Sequence, residues 1–227
     1  MSAATVEGDP FAGFELEQRI VARARSAGIE ASAEVVARLA AHARAVLAAN
    51  PTLKLTTIVA PEEFLERHIG ESLEGAAMLD PAVDGRLIDL GSGNGFPGLA
   101  VAAARPGLTP LLVEVSERKA AFLRETLGQT LERGNVLQAQ VQRPADLGEG
   151  VTARVLTVRA VGGWERLLPR LRACLAPEGD LLLWAGADVE RVSARAAWRA
   201  LRLAERRALP GRDSSWIWRF RRVAGSS

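Results

Sequence analysis

A strand that leads directly into a glycine-rich loop, residues 86–98, constrains the fold of this chain more than any other segment. The strand is apolar, and Gly91, Gly93 and Gly95 then occupy alternate positions. Glycine has no Cβ, so the backbone of this loop can turn tightly and present its N–H groups to a ligand. Pro97 suits the first turn of a following helix, where its missing N–H would have no partner anyway. The segment therefore predicts a strand–loop–helix unit that binds a nucleotide-type cofactor.

An acidic residue ends the next apolar strand, where a bound nucleoside would present its ribose hydroxyls. This residue is Glu114, about 20 residues after the loop. Two cofactor classes use such an arrangement. The loop contains the G-x-G-x-x-G pattern of dinucleotide-binding proteins, but Phe96 stands where the aligned third glycine belongs. The Asp-x-Gly-x-Gly-x-Gly pattern that begins at Asp89 instead resembles motif I of the S-adenosylmethionine-dependent methyltransferases, which favours S-adenosylmethionine over a dinucleotide.

Apolar strands alternate with helices from residue 86 onward. Strands are expected at 86–90, 110–115, 135–141, 153–158, 179–185, 201–208 and 215–222, and helices at 97–105, 117–132, 163–174 and 188–199. This alternation implies right-handed crossovers and a mostly parallel sheet, so we predict an α/β fold with a seven-stranded Rossmann-like class I methyltransferase sheet. Ligands bind at the carboxyl ends of such strands. The cofactor-binding candidates at those ends are Asp89, Gly91, Ser92, Gly93, Gly95, Phe96, Glu114, Arg143, Pro144, Ala145, Asp146 and Arg159.

Residues 1–85 have helical periodicity instead and are predicted to form an N-terminal helical extension to a domain of residues 86–227. Apolar side chains recur at helical spacing in alanine-rich surroundings between residues 35 and 47. The pair Asn50-Pro51 is expected to end this helix. An extended connector and a third helix, from Pro61 to about residue 79, are expected to follow.

Charge is distributed unevenly between the two halves of the chain. Residues 151–227 contain 15 arginines and 7 acidic residues, whereas residues 1–150 contain 14 basic and 20 acidic residues, so the halves carry +8 and −6. The basic half is either a surface for a polyanion or a solvated face. The single cysteine, Cys174, excludes an internal disulfide framework, and no metal is expected. The N-terminus lacks an export signal and no apolar run reaches 18 residues, which predicts a cytoplasmic protein without a membrane span.

The residues after the fourth strand limit which acceptor a methyl group could reach. Amino methylation of bases usually accompanies an Asn/Asp-Pro-Pro-aromatic tetrapeptide there, but this chain has Val-Arg-Ala-Val. Carbon-5 methylation of pyrimidines needs a cysteine, and Cys174 lies among apolar residues. Guanine N7 is an acceptor that these two exclusions leave open, because it carries no proton and its methylation needs no base. Arg159 could then hold guanine O6, a phosphate or the cofactor.

Two further polar residues, His68 and Ser72, are candidates for the acceptor side together with Arg159. They lie four positions apart and share one face of the third predicted helix. They are expected either to line the acceptor pocket beside the glycine loop or to satisfy buried polar groups.

Several motifs accompany the glycine loop: Leu55-Thr56, Pro61-Glu-Glu-Phe64, Arg67-His68-Ile69, Ser72-Leu73, Gly-x-Gly-Phe-Pro-Gly, Lys119, Phe122-Leu123, Arg143 and Arg159-Ala160. Over roughly residues 35–185 the chain resembles the glucose-inhibited-division B family, bacterial small-subunit ribosomal RNA guanine-N7 methyltransferases. The resemblance implies a Rossmann-like sheet with an N-terminal helical extension, S-adenosylmethionine as cofactor, and ribosomal RNA or the small ribosomal subunit as partner. It also implies cofactor contacts at Gly91, Phe96, Glu114, Pro144-Ala145 and Arg159.

The chain departs from the family pattern mainly on the side expected to face RNA. Lys54 replaces an asparagine, Pro144-Ala145 replaces Val/Ala-Glu, and Asp146 could supply the missing carboxylate. Trp184-Ala185-Gly186 stands where a lysine precedes glycine, and Ser214-Ser215-Trp216 replaces an Arg-His pair. These departures keep open a family-derived methyltransferase acting on a small molecule or a peptide. A non-catalytic RNA-binding protein and, last, a dinucleotide oxidoreductase are further alternatives.

The basic C-terminal region, residues 191–222, is predicted to meet RNA phosphates. Tryptophans could stack on bases, although tryptophans at strand and helix positions more often belong to the core. The residues concerned are Trp184, Trp198, Trp216 and Trp218.

Overall fold

The computed structural model describes residues 8–223, which contain a seven-stranded sheet with the order β3-β2-β1-β4-β5-β7-β6. Strands β1 to β5 run parallel to one another, and β7 runs antiparallel to both β5 and β6. The strands are β1 Gly85–Leu90, β2 Leu108–Glu114, β3 Asn135–Gln138, β4 Ala153–Arg159, β5 Leu175–Ala185, β6 Leu201–Ala208 and β7 Trp216–Arg222. Each predicted strand is present, and the predicted class of fold is confirmed.

Helices cover both faces of this sheet. They are α1 Leu16–Ser26, α2 Ala33–Leu53, α3 Pro61–Phe64, α4 Glu71–Ala77, α5 Gly98–Ala104, α6 Glu117–Thr130, α7 Trp164–Leu171 and α8 Asp188–Ser193. Alternate residues of a strand point to opposite faces, so Leu87 joins the core beneath α1 to α6 while Ile88 joins the core beneath α7 and α8. None of the helices within residues 8–223 is long and apolar enough to cross a membrane.

The strand order reverses beside β1, and this position determines where a ligand can bind. The chain moves outward from β1 through β2 to β3 and then returns to place β4 on the other side of β1. The loops after β1 and β4 therefore diverge at the carboxyl edge of the sheet and leave a crevice between them.

The prediction that Asn50-Pro51 ends the second helix is wrong. Helix α2 continues through Pro51 to Leu53 and ends at Lys54, which adopts a left-handed conformation with φ +51°. Pro51 has no N–H to bond the carbonyl of residue 47, so the helix lacks one bond there, and it continues for only two more residues before Lys54 N–H donates to Asn50 O. The side-chain amide of Asn50 instead stabilises the extended segment that follows α2, because it donates to Thr56 O and accepts from Thr56 N.

The third predicted helix is present but contains a π-helical turn. Residues Leu65–Gly70 form this turn between α3 and α4, and the helical run ends at Ala77 rather than near residue 79. Such turns often occur at functional sites. This one carries Arg67 and His68 to the crevice.

The predicted division into residues 1–85 and 86–227 remains a prediction. Strand β1 begins at Gly85, next to the predicted boundary. Helices of the N-terminal segment nevertheless share one apolar core with the sheet, because Leu39 and Phe64 belong to the same cluster as Leu87 and Leu182.

Candidate active site

Two clefts open at the carboxyl ends of β1, β2 and β4, and they share Gly91 and Glu114. One, the Val141 cleft, has a volume of about 460 Å³. Its lining includes Leu90, Gly91, Val113, Glu114, Ala139, Gln140, Val141, Gln142, Val161, Arg166 and Leu167. The other, the Arg159 cleft, has a volume of about 440 Å³. Its lining includes Leu55, Arg67, His68, Glu71, Gly91, Ser92, Gly93, Phe96, Glu114, Lys119, Arg159 and Arg212.

The glycine loop between β1 and α5 adopts backbone angles that other residues rarely reach. Gly91, Gly93 and Gly95 have φ values of +68°, +56° and +90°. A Cβ on Gly91 would lie 2.8 Å from a methyl carbon of Val161, and a Cβ on Gly95 would lie 2.7 Å from His42 Nε2. The loop is therefore closely packed on both sides, and glycine is required by space as well as by conformation.

Glu114 at the end of β2 stands between the two clefts and holds the loop. Its Oε2 accepts the Gly93 N–H at 2.9 Å and its Oε1 accepts the Ser116 N–H at 2.8 Å. Ionised carboxylate oxygens have further lone pairs, so Glu114 can accept hydroxyl protons from a ligand as well. With the apolar walls of the Val141 cleft beside it, the arrangement suits a nucleoside, with its ring between the walls and its ribose at Glu114.

Asp89 is a buried residue of β1 that lies next to the glycine loop. Its side chain is buried, its Oδ1 accepts from Thr157 Oγ1 at 2.7 Å, and its Oδ2 has no hydrogen-bond partner among the described residues. Burial raises its pKa to about 6, against the lowering effect of the Thr157 hydrogen bond. A Cβ on Gly98 would overlap Asp89. Asp89 therefore packs against the start of α5 and lines neither cleft.

Phe96 lies between two histidines of the helical extension. Its ring is stacked on His42 at a centroid distance of 4.0 Å and on His68 at 5.4 Å. His42 Nε2 donates to Asn94 O at 2.8 Å, so α2 is hydrogen-bonded to the glycine loop itself. Burial lowers the pKa of His42 to about 4. Burial, with the Arg159 charge second, lowers the pKa of His68 to about 3, so both rings are neutral at pH 7.

Sequence reasoning missed His42. Its position was a detectable signal, because it lies three residues after Leu39 and four before Val46 on the buried face of α2.

Arg159 joins the end of β4 to the helical extension and to the glycine loop. Its guanidinium donates to Arg67 O at 3.0 Å, to Phe96 O at 3.1 Å and to His68 Nδ1 at 3.2 Å. Arginine can only donate, so His68 Nδ1 is the acceptor and its Nε2 carries the proton. That proton is donated to Thr56 Oγ1 at 2.9 Å. The tautomer of His68 is thus set by Arg159.

Three arginines converge on the buried carboxylate of Glu71. Arg212 and Arg67 lie 3.1 Å and 3.2 Å from its Oε1, and Arg159 lies 3.8 Å from its Oε2. The three positive side chains line the Arg159 cleft together with Lys119, and the cleft also contains the carboxylates of Glu71 and Glu114. Glu71 was not selected from the sequence as a site residue, because its pairs with Arg159 and Arg212 join residues that lie far apart along the chain.

Ser72 and residues 143–146 line neither cleft, unlike most of the other candidates. Ser72 is buried, donates its hydroxyl to His68 O at 2.6 Å and lines neither cleft. The Asp146 carboxylate accepts from Gln142 N, and this N–H, with the Arg143 side chain second, holds the pKa of Asp146 below its usual range. None of Arg143, Pro144, Ala145 and Asp146 lines the Val141 cleft, which the preceding residues 139–142 line instead.

Three of the four tryptophans considered for base stacking belong to the interior. Trp184, Trp198 and Trp218 are buried, and their indole N–H groups donate to Glu71 O, Glu165 O and Ala185 O respectively. Trp216 is half-buried, with the Arg206 guanidinium 5.7 Å from its ring. Within residues 8–223, no group of three or more His, Cys, Asp and Glu side chains could hold a metal ion.

Solved structures with the same architecture define the class of fold. The mitomycin 7-O-methyltransferase MmcR superposes with a TM-score of 0.56 and 18% identity, over 92% of this chain and 68% of that one. A fibrillarin/Nop5p complex gives a TM-score of 0.53 and 15% identity, over 63% of this chain and 74% of that one. At such identities the likeness concerns the fold alone, which is the Rossmann-like fold of the methyltransferases.

Sequence comparison then gives the family. Residues 36–204 match the family model of GidB, rRNA small subunit methyltransferase G. The chain is 36% identical to ribosomal RNA small subunit methyltransferase G of Sorangium cellulosum over 180 residues, 78% of this chain and 74% of that protein. It is 37% identical to the protein of that name from Myxococcus xanthus over 204 residues, 85% and 89% of the two chains. The chain therefore belongs to the rRNA small subunit methyltransferase G family, which confirms the resemblance drawn from its motifs.

Proposed function

We propose that this chain transfers a methyl group from S-adenosylmethionine to N7 of a guanine in small-subunit ribosomal RNA. The observation that carries the proposal is the Glu114 carboxylate bonded to the Gly93 N–H at the junction of the Val141 and Arg159 clefts. One cleft then serves the cofactor and the other the acceptor. Membership of the rRNA small subunit methyltransferase G family supports the same function.

The cofactor supplies a methyl group on a sulfonium sulfur, which leaves as a neutral thioether. The adenine ring fits the apolar walls of the Val141 cleft, and the ribose hydroxyls fit Glu114. Gly91 lines both clefts and leaves room for the ligand to pass between them. In this arrangement residues 139–142 contact the adenosine side, and the segment 143–146 supports them through the Asp146 bond to Gln142.

Guanine N7 suits this site because neither histidine of the site is available as a general base. Their low pKa values make both histidines weak bases, and both ring nitrogens of His68 are already engaged by Arg159 and Thr56. A lone pair without a proton needs only alignment with the methyl carbon. Arg67 and Arg212 supply positive charge at the cleft for guanine O6 or a phosphate. Arg159 acts as a positioning residue through Phe96 and His68.

A labelling experiment tests this function. Small ribosomal subunits that lack the modification are incubated with the enzyme and methyl-labelled S-adenosylmethionine, and N7-methylguanine is mapped by strand cleavage. We expect label at one guanine of the ribosomal RNA. Label in a metabolite or peptide fraction without label in RNA would contradict the proposal. The cytoplasmic location stays a prediction that cell fractionation would check.

The cofactor site is tested separately by calorimetry. The variant Gly93→Val places a branched side chain at φ +56° beside Glu114 and is expected to abolish S-adenosylmethionine binding. Gly128→Val is the matched control, because Gly128 is exposed on α6 and a Cβ there meets nothing within 4 Å. Equal cofactor affinity in the two variants, or binding of NADH by the unchanged protein, would contradict the assignment of the site.

A further inference from the structure

Five of the eleven residues that line a groove next to the Val141 cleft are arginines. It has a volume of about 640 Å³ and lies between α7 and the 3-10 turn Ala196–Trp198. Its single acidic residue is Glu165. The arginines that line it are Arg166, Arg170, Arg172, Arg195 and Arg199, which together define the arginine groove.

The arginines of this groove have no acidic partner, unlike several arginines of the neighbouring strands. Within residues 8–223, none of the five forms an ion pair, and the Arg172 side chain donates only to Pro169 O. In contrast, Arg219 and Arg221 pair with the buried Asp180, and Arg207 pairs with Glu74. Part of the positive charge of β6 and β7 is therefore offset by carboxylates, whereas that of the arginine groove is available to a ligand.

The groove holds its arginines on two walls. Arg166 and Arg170 are four residues apart on α7, so they emerge on the same side of this helix, about 6 Å apart along its axis. Arg195 and Arg199 flank the 3-10 turn on the other wall. The buried Trp198 fixes this turn, since its N–H donates to Glu165 O at 3.2 Å. Paired charges on fixed walls suit a chain of phosphates better than a single anion.

The arginine groove is continuous with the proposed active site. Arg166 and Arg170 line both this groove and the Val141 cleft. A shallow depression lined by residues 160–165 connects the groove, through Glu165, with Ala160 at the edge of the Arg159 cleft. We infer that the arginine groove binds the phosphate backbone of the RNA substrate next to the target nucleotide, a role that rests on the proposed function.

Salt-dependent binding tests this inference. The variant Arg195→Gln/Arg199→Gln removes two charges that line neither cleft. The loss of two phosphate contacts to single-stranded RNA should make the fall of log K with log salt concentration less steep, by about 1.4 in slope. It should also weaken RNA binding roughly tenfold near 0.15 M salt. The probe is small-subunit ribosomal RNA, and S-adenosylmethionine affinity and the thermal unfolding midpoint are measured alongside to show that the fold is intact. Arg25→Gln/Arg86→Gln, two exposed arginines elsewhere, is the control of equal charge.

The outcomes separate this inference from the proposed function. If the unchanged enzyme labels RNA but the groove variant binds RNA with the slope of the control, the groove assignment is overturned and the proposed function stands. If the groove variant alone loses slope although no guanine is labelled, the RNA groove is supported and the proposed methylation is wrong. A loss of affinity for inorganic polyphosphate without any loss for RNA would also overturn the assignment.

Discussion

Arg159 is the side chain through which the sheet, the glycine loop and the helical extension meet. It donates to two backbone carbonyls and to His68 Nδ1, and it lies near Glu71. A planar guanidinium can direct several N–H groups to partners in different directions, whereas an ammonium acts as a point charge. The residue was selected from the sequence as a contact for guanine or cofactor, and the structure gives it in addition a positioning role.

The variant Arg159→Lys tests this role. Lysine keeps the charge but cannot satisfy all three acceptors, so we expect a loss of about 1–3 kcal/mol in the free energy of unfolding and slower methyl transfer. The measurements are urea denaturation and single-turnover labelling of RNA. Arg118→Lys is the control, because Arg118 is exposed and donates only to Thr52 O at 3.2 Å. Wild-type turnover by Arg159→Lys would refute the positioning role.

The two buried histidines and Asp89 give the stability a defined dependence on pH. Each histidine has a folded pKa below 6.5, so the unfolded state binds more protons and stability falls as pH decreases from about 6.5. Asp89 has a folded pKa of about 6 against 3.8, so its contribution rises as pH decreases from 6. Between pH 6 and 5 the unfolded state therefore binds about one proton more than the folded state. The free energy of unfolding should fall by about 1.4 kcal/mol for each pH unit by which the pH decreases.

Urea denaturation at several pH values measures this slope. His68→Gln removes one histidine contribution, and the remaining histidine then offsets Asp89. We therefore expect a slope near zero between pH 6 and 5 in this variant, whatever its absolute stability. An unchanged slope would show that His68 is protonated in the folded protein.

At the scale of elements, helix α2 and the glycine loop form one unit. His42 stacks on Phe96 and bonds to Asn94 O, and Gly95 leaves no space between the loop and the imidazole ring. The helical extension thereby fixes a loop that belongs to the sheet. This contact joins the helical extension to the loop that we propose binds the cofactor.

Gly95→Ala tests this contact. The new Cβ would lie 2.7 Å from His42 Nε2 at a φ of +90°, so we expect a loss of about 2 kcal/mol or more in the free energy of unfolding and weaker cofactor binding. Gly128→Ala is the control in α6, where alanine should stabilise the helix by about 0.5–1 kcal/mol. Equal stability of the two variants would show that the loop does not press on α2.

Several element boundaries could not be read from the sequence. Pro51 normally signals a helix end, but α2 continues for two residues beyond it with its apolar face packed in the core, at the cost of one backbone hydrogen bond. The π-helical turn at Leu65–Gly70 contains no proline and no glycine before its last residue, so the sequence pattern predicts an unbroken helix there. Strand β3 ends at Gln138 rather than at 141, because it lies at the edge of the sheet and pairs only with β2.

At the scale of the whole molecule, the extension and the sheet share one core, so we expect them to unfold together. The five tryptophans all lie after residue 160, and their fluorescence therefore reports the sheet half. Far-UV circular dichroism also reports the helices of the extension. Coincident urea transitions with both probes are expected. A separate helical transition without a change in fluorescence would show that residues 1–85 form an independent domain.

The sequence by itself determined the class of fold, the glycine loop and Glu114, because these depend on local backbone freedom and on periodic burial along single elements. Only the tertiary structure placed His42 on the loop, aligned Arg159 with His68 and gathered three arginines around Glu71. These pairs are separated by 52, 91 and, for Arg212 and Glu71, 141 residues. Contacts at such separations arise from the packing of elements against one another, which no local pattern encodes.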